Sequence, residues 1–250
     1  MRLQNKKAVI TGAAGDIGRA TARRFANEGG RLALIDRDEK GLADLAGSLK
    51  PLPPFVKTDV TNEDELRIAT ETVRNHFGQI DVLFVNAGIE QSHAAVTDMQ
   101  KDAFERVLSV NLTGAFLTVK HFLPIVADHG SVIFTSSTAG LMGIPAYSAY
   151  SAAKTGLIGL MRSAALDVAP RRIRCNTIHP GPVRSKMLER SAQQATGGVD
   201  VDAWYSAMAG MARMGRLVEA ADVVNLALFL ASDESAMISS QSIAVDGGVV

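Results

Sequence analysis

Tyr150 and Lys154 stand four residues apart, the spacing that brings two side chains onto one helix face. A phenol ordinarily titrates near about 10, too high for a base at neutral pH. A neighbouring ammonium favours the phenolate and draws that value toward the working range. Ser137 lies upstream, at the end of a strand-like run, where its hydroxyl can donate to a substrate oxygen and hold it in place. The chemistry open to this trio is proton transfer to or from a hydroxyl or carbonyl oxygen. Tyr147 competes for the role, but the residue four positions after it is Ser151 rather than a lysine, so the spacing selects Tyr150. From spacing alone the catalytic reading and a chance Tyr-x-x-x-Lys stand about even.

A second signal raises the first. Thr11-Gly12-Ala13-Ala14-Gly15-Asp16-Ile17-Gly18 follows an apolar run and opens a helical period. A glycine-rich turn there lets backbone N–H groups approach a pyrophosphate at the positive end of a helix. Gly12, Gly15, Asp16, Ile17 and Gly18 are the candidates for that contact. A glycine trio by itself also serves tight turns, but Asp36 closes the next strand-like run. A carboxylate there can accept from ribose hydroxyls and would repel a 2′-phosphate by roughly 4 kcal/mol near 4 Å at an effective dielectric of about 20, less where exposed. NAD is expected in preference to NADP, although Arg37 beside Asp36 could partly accommodate a phosphate. Together the two signals point to hydride transfer between a nicotinamide cofactor and an alcohol or ketone.

These groups need a scaffold, and the pattern supplies one. Apolar runs at Lys7–Thr11, Arg31–Asp36, Phe55–Asp59, Ile80–Asn86, Gly130–Ser136, Ile173–Ile178 and Gln241–Val245 read as seven strands. Segments of helical period fall between them at Ile17–Glu28, Glu39–Leu49, from Thr61 or Asn62 onward, Lys101–Val126, Ala149–Val168 and Glu219–Leu230. Continuous rather than alternating apolar strands indicate a parallel sheet covered on both faces. The spacing therefore predicts an α/β fold, a single Rossmann-type domain over residues 1–250 with a doubly wound, mostly parallel seven-stranded sheet. Residues 182–216 show no clear period and carry four methionines and Trp204. The length suits a substrate-binding lid; the plainer alternative is a surface excursion with a small helix.

Composition narrows the class. The chain has 250 residues with 26 basic and 26 acidic side chains and no formal net charge, which gives no electrostatic footprint for nucleic acid or a membrane surface. The single cysteine, Cys175, reads as a buried core residue. No signal-like N-terminal region and no run long enough to span a bilayer is visible, so a cytoplasmic enzyme is expected. No metal-ligand set is expected.

The series Thr11-Gly12…Gly18, Asp59-Val60, Asn86-Ala87-Gly88, Val110-Asn111, Ser136-Ser137, Tyr150…Lys154, Pro180-Gly181 and Asp246-Gly247-Gly248 resembles the short-chain dehydrogenase/reductase family from Lys6 to Gly248. The resemblance implies a catalytic tetrad of Asn111, Ser137, Tyr150 and Lys154, with Asn111 helping to hold a water that links Lys154 to solvent. It implies adenine contacts from Asp59 and Val60. Asn86, Ala87 and Gly88 match the stretch beside the adenosine ribose, and Lys154 the nicotinamide-ribose ligand. Pro180, Gly181 and Val183 match the nicotinamide wall, and Ser185 stands where threonine commonly contacts the carboxamide. Asp16 departs from the family's usual glycine or alanine. Its charge either crowds the pyrophosphate or caps the helix.

The substrate, a small alcohol or ketone, is expected between the nicotinamide, Ser137, Tyr150 and the lid. Gln91, His93, Met142, Tyr147, Met187, Leu188 and Trp204 are the candidate wall, which would suit a cyclic alcohol, polyol or ketone. His93 reads more readily as a loop surface residue. A homotetramer is implied, through apolar stripes such as Phe104, Leu108, Leu112, Phe116 and Val119, unless the whole stripe covers the sheet. The rival from another class is an NAD-binding redox sensor or scaffold without turnover. A sugar-nucleotide epimerase is disfavoured because little chain remains for a second domain.

Overall fold

The computed structural model describes all 250 residues. Seven strands, β1 (Lys7–Thr11), β2 (Arg31–Asp36), β3 (Phe55–Lys57), β4 (Ile80–Val85), β5 (Val126–Thr135), β6 (Arg174–Pro180) and β7 (Ser242–Val245), form one sheet. Their order is β3-β2-β1-β4-β5-β6-β7, and every pair is parallel. The order reverses between β1 and β4. A crevice opens there at the carboxyl ends of the strands, as doubly wound sheets require.

Alternation along β1 shows why both faces are covered. Val9 joins one core cluster, with Leu66, Phe122 and Met161. Its neighbours Ala8 and Ile10 join the other, with Phe25, Leu45 and Leu228. Helices α3 (Glu63–Phe77), α5 (Gly114–Phe122) and α6 (Ser148–Asp167) supply the first face. Helices α1 (Asp16–Asn27), α2 (Glu39–Gly47) and α9 (Ala220–Ala231) supply the second. Fully burying each large apolar side chain stabilises the fold by about 1.5–3 kcal/mol. Cys175 is among them, wholly buried, and burial pushes its thiol up to about 12, so it is inert.

Three stretches differ from the sequence reading. The single helix expected over Lys101–Val126 is broken: α4 (Lys101–Leu108) passes into a π-helical turn at Ser109–Thr113, then α5, then a short 3₁₀ turn. The π turn holds Asn111, whose side chain bonds outside the helix, so the ladder widens around it. Strand β5 begins at Val126, ahead of the expected Gly130. A register shift between Ile80 and Val82 and His129 at φ 66° absorb the extra residues, as a bulge does. Residues 182–216 hold two helices, α7 (Lys186–Thr196) and α8 (Val201–Met211). Ser185 caps α7, accepting from Leu188 N–H.

Part of the stripe named for assembly serves the chain itself. Val119 lies in the core, and Leu112 packs against Gly156 of α6. Phe116 alone of that stripe is strongly exposed, at 46%. No helix is long and apolar enough to cross a membrane.

Candidate active site

The crevice is a cavity of about 770 Å³ running over the ends of β1, β4, β5 and β6. Gly12 at its floor has φ +66°, and a Cβ there would meet Ala87 Cα at 2.8 Å. Glycine adopts that backbone without strain, and it alone leaves that space. Gly18 lies one turn into α1, where a Cβ would come within 2.1 Å of Gly12 O. Its work is to let the helix press against the turn, leaving the first-turn N–H groups facing the cavity. Of the residues expected at the cofactor, Gly18 alone stands outside the cavity wall.

Asn86 ties the floor together. Its Nδ2 donates to Thr11 O at 3.2 Å and Gly12 O at 3.3 Å, and its Oδ1 accepts from Thr135 Oγ1 at 3.0 Å. It therefore joins the carboxyl ends of three strands and fixes the crevice width. At the far end Asp36 accepts from Ala14 N–H at 2.9 Å and Asp38 N–H at 3.0 Å. Those bonds aim the carboxylate while leaving acceptor capacity for hydroxyls. Asp16 neither caps α1, whose cap is Gly15, nor binds within the turn. Its Oδ2 accepts from Lys186 N–H at 2.8 Å, linking the glycine turn to the start of α7.

The tetrad residues gather at the ends of β4 and β5. Ser137 lies two residues past the end of β5, and its carbonyl accepts from His179 Nδ1–H at 2.8 Å. His179 is wholly buried. Burial lowers its pKa, so the ring is neutral and its Nε2 accepts from Thr177 Oγ1 at 2.8 Å. No local pattern announces this support, because His179 and Ser137 meet only across the β5–β6 pairing. Lys154 Nζ lies 5.4 Å from the centroid of the Tyr150 ring and donates to Thr135 O at 2.9 Å. Ser136 Oγ donates to Lys154 O at 2.8 Å, pinning α6 to β5. Asn111, also buried, accepts from Ile89 N–H at 2.7 Å and donates to Ile89 O at 2.9 Å. It braces the β4 loop behind the cavity and does not line it.

Electrostatics here run against the sequence expectation. Burial raises the Tyr150 phenol above its ordinary value, and the Ser137 hydroxyl opposes that only in part. The negative charge of Glu90 pushes in the same direction as burial. Lys154, itself buried, is lowered to about 8. Burial is the largest influence on the phenol in the protein alone. Tyr150 is a protonated acid at neutral pH.

The substrate side also departs from expectation in two places. Gln91 and Met142 are not in the cavity wall. Gln91 is buried, its Oε1 accepting from Tyr150 N–H at 2.8 Å and its Nε2 donating to Ala146 O at 2.6 Å. It anchors the first turn of α6, and so places Tyr150 from behind. His93, Tyr147, Met187, Leu188 and Trp204 do line the cavity. His93 is not a free surface side chain: its Nε2 lies 2.6 Å from Tyr147 Oη. Burial lowers its pKa, leaving it neutral. Glu90 and Ser191 line the same wall and were not singled out in the sequence. Neither belongs to a motif, and they are 101 positions apart in the chain.

Comparison with known proteins agrees with this fold. A family model described as enoyl-(acyl carrier protein) reductase matches residues 12–250. Short-chain dehydrogenase reductase 3a of Arabidopsis thaliana is 35% identical, over 99% of this chain and 96% of its own. The NAD⁺-bound structure of a xylitol dehydrogenase is 32% identical with a TM-score of 0.94, covering 99% of this chain and 100% of that one. Carveol dehydrogenase from Mycobacterium avium, in complex with NAD, is 30% identical with a TM-score of 0.94, covering 99% and 98%. The chain belongs to the short-chain dehydrogenase/reductase family, a family of oxidoreductases.

Proposed function

We propose that this protein interconverts a secondary alcohol and its ketone with NAD as hydride carrier and Tyr150 as the general acid and base. The observation that carries this reading is the packing of Lys154 beside the Tyr150 ring at the mouth of the crevice. Structural neighbours named as a carveol dehydrogenase and a xylitol dehydrogenase, both holding NAD, support it.

The residues present fit a dinucleotide. Gly12 leaves a cradle that a Cβ would fill, the start of α1 opens on the crevice, and Asp36 and Arg37 face its far end. Asp59, Val60, Pro180, Gly181, Val183 and Ser185 line the same cavity; in this reading the first two would take the adenine and the others the nicotinamide. When bound, oxidised nicotinamide supplies the hydride acceptor and a positive charge near the phenol.

The chain's own groups do the rest. Ser137 Oγ donates to the substrate oxygen and orients it. In the reducing direction Tyr150 Oη gives its proton to the ketone oxygen. In the oxidising direction it takes the hydroxyl proton, once an added positive charge offsets the burial that holds the phenol protonated. Lys154 holds its ammonium against the ring through Thr135 O. Asn111 holds the β4 loop open beside Lys154, where a Cβ on Gly88 would lie 3.5 Å from Nζ. Helices α7 and α8 contribute Met187, Leu188, Trp204 and Met208 to the wall, a lid that excludes water from the reacting carbon.

Asp36 sets the cofactor preference in this reading. Titration of Trp204 fluorescence should give NAD a Kd at least about tenfold below that of NADP, since even a solvent-screened repulsion reaches about 1.4 kcal/mol. Asp36→Ala should narrow the ratio, with Arg37 left to receive the phosphate. Equal affinities in the unaltered protein would remove the NAD assignment and leave the tyrosine chemistry standing.

A further inference from the structure

One part of the cavity wall has no role in the chemistry above. Tyr147 Oη donates to Glu90 Oε1 at 3.3 Å and lies 2.5 Å from Ser191 Oγ and 2.6 Å from His93 Nε2. Ser191 Oγ is also 3.0 Å from His93 Nε2. The four side chains come from three places: the loop after β4, the residue before α6, and α7. All four line the cavity that holds Ser137 and Tyr150. The Tyr147 and Tyr150 rings meet edge to face at 6.0 Å between centroids.

Glu90 sets the character of this wall. It is half-buried, yet it has no salt bridge to any cation. Burial raises its pKa, and Arg190 favours the charge only through space. A carboxylate can accept about four hydrogen bonds; Glu90 receives one long bond from Tyr147 and help from Ser191. Burying a charge in this condition is costly unless something completes its shell. The missing partners must be donors, and they must reach the wall from the cavity. A hydroxyl on the carbon next to the reacting carbinol, or one carbon further, meets that need while its neighbour sits on Tyr150. An apolar ring supplies no donor. An acyl chain on an anionic carrier supplies none either and brings like charge toward Glu90.

We infer that Glu90, Tyr147, Ser191 and His93 form a hydroxyl-recognition wall, and that the substrate is a polyhydric alcohol or a hydroxyketone rather than a monohydric or acyl compound. This rests on the alcohol–ketone reading above and narrows it.

The test compares matched alcohols with NAD: cyclohexane-1,2-diol against cyclohexanol, and a pentitol against 3-pentanol. The unaltered protein should favour the polyhydric member of each pair by about 10- to 100-fold in kcat/KM, the range of one hydrogen bond to a charged group. Glu90→Leu, which removes the acceptors at similar volume, should bring the ratio near one through KM. Glu90→Gln, which keeps one acceptor, should restore part of it. Equal kcat/KM for the members of both pairs in the unaltered protein would overturn the wall while leaving the oxidoreductase reading intact. Oxidation of neither member of either pair, with other secondary alcohols turned over, would also overturn it. No turnover of any alcohol would overturn both. Should Glu90→Leu fail to fold, the ratio in the unaltered protein still decides.

Discussion

Replacing Tyr150 with phenylalanine lowers kcat by about 10²- to 10⁴-fold in both directions, the span general acid–base catalysis contributes. The substitution removes one oxygen from a residue whose backbone is fixed independently. Gln91 Oε1 holds the Tyr150 N–H at 2.8 Å, and Lys154 is held by Thr135 rather than by the phenol. The ring therefore keeps its place and the dinucleotide crevice keeps its shape. NAD affinity in the variant should stay within about threefold of the unaltered protein, because the loss falls on the transition state and not on cofactor binding. Steady-state rates and equilibrium titration separate the two. Undiminished turnover would transfer the role to another group, and Tyr147 is ill placed to take it. Its hydroxyl is engaged with His93, Ser191 and Glu90, and burial pushes its pKa up to about 12.

Lys154→Met separates activity from stability. Activity falls by about 10²-fold or more, since no ammonium remains to favour the phenolate. Stability moves the other way at neutral pH. In the folded chain burial lowers Lys154 to about 8 from an ordinary 10.5. The unfolded chain therefore binds more protons between those values, and stability rises with pH across that window. Below about pH 8 the charged, buried ammonium costs its full penalty, about 3 kcal/mol. Loss of the hydrogen bond to Thr135 offsets about 1 kcal/mol of the relief. The methionine variant should thus unfold about 2 kcal/mol less readily at pH 7, and the advantage should shrink as pH passes through 8 toward 10.5. Urea unfolding at several pH values reads the difference. A variant that is less stable at pH 7 would mean that the ammonium is satisfied in place and burial imposes no such penalty.

The parts of the molecule legible in the sequence are those set by local spacing. Strand runs, the glycine turn, the Tyr150–Lys154 pair and the Asn62 cap of α3 all follow from neighbours along the chain. The seven strands and their parallel pairing were legible because both-face burial leaves continuous apolar runs. What escaped depends on contacts between distant segments. The π turn at Asn111 exists because Ile89, 22 positions away, takes both ends of its amide. Gln91 resembled a wall residue in the sequence, and only the packing of Ala146 and Tyr150 turns it inward. The phenol's raised pKa was not legible either. Helical spacing placed the ammonium, but it carried no measure of the desolvation that raises the phenol and lowers the lysine. Glu90 had no motif, and its meaning comes from Tyr147 and Ser191 arriving beside it.

Hydride transfer itself is the claim on which the rest depends. The direct measurement is absorbance of reduced nicotinamide when the protein is mixed with NAD and a panel of secondary alcohols, monohydric and polyhydric, with NADP in parallel. Reduced NAD should accumulate in proportion to enzyme with at least one alcohol, and the matching ketone should reverse it. Binding of NAD without its reduction by any alcohol in the panel would contradict the account and make the chain a nucleotide-binding protein without turnover.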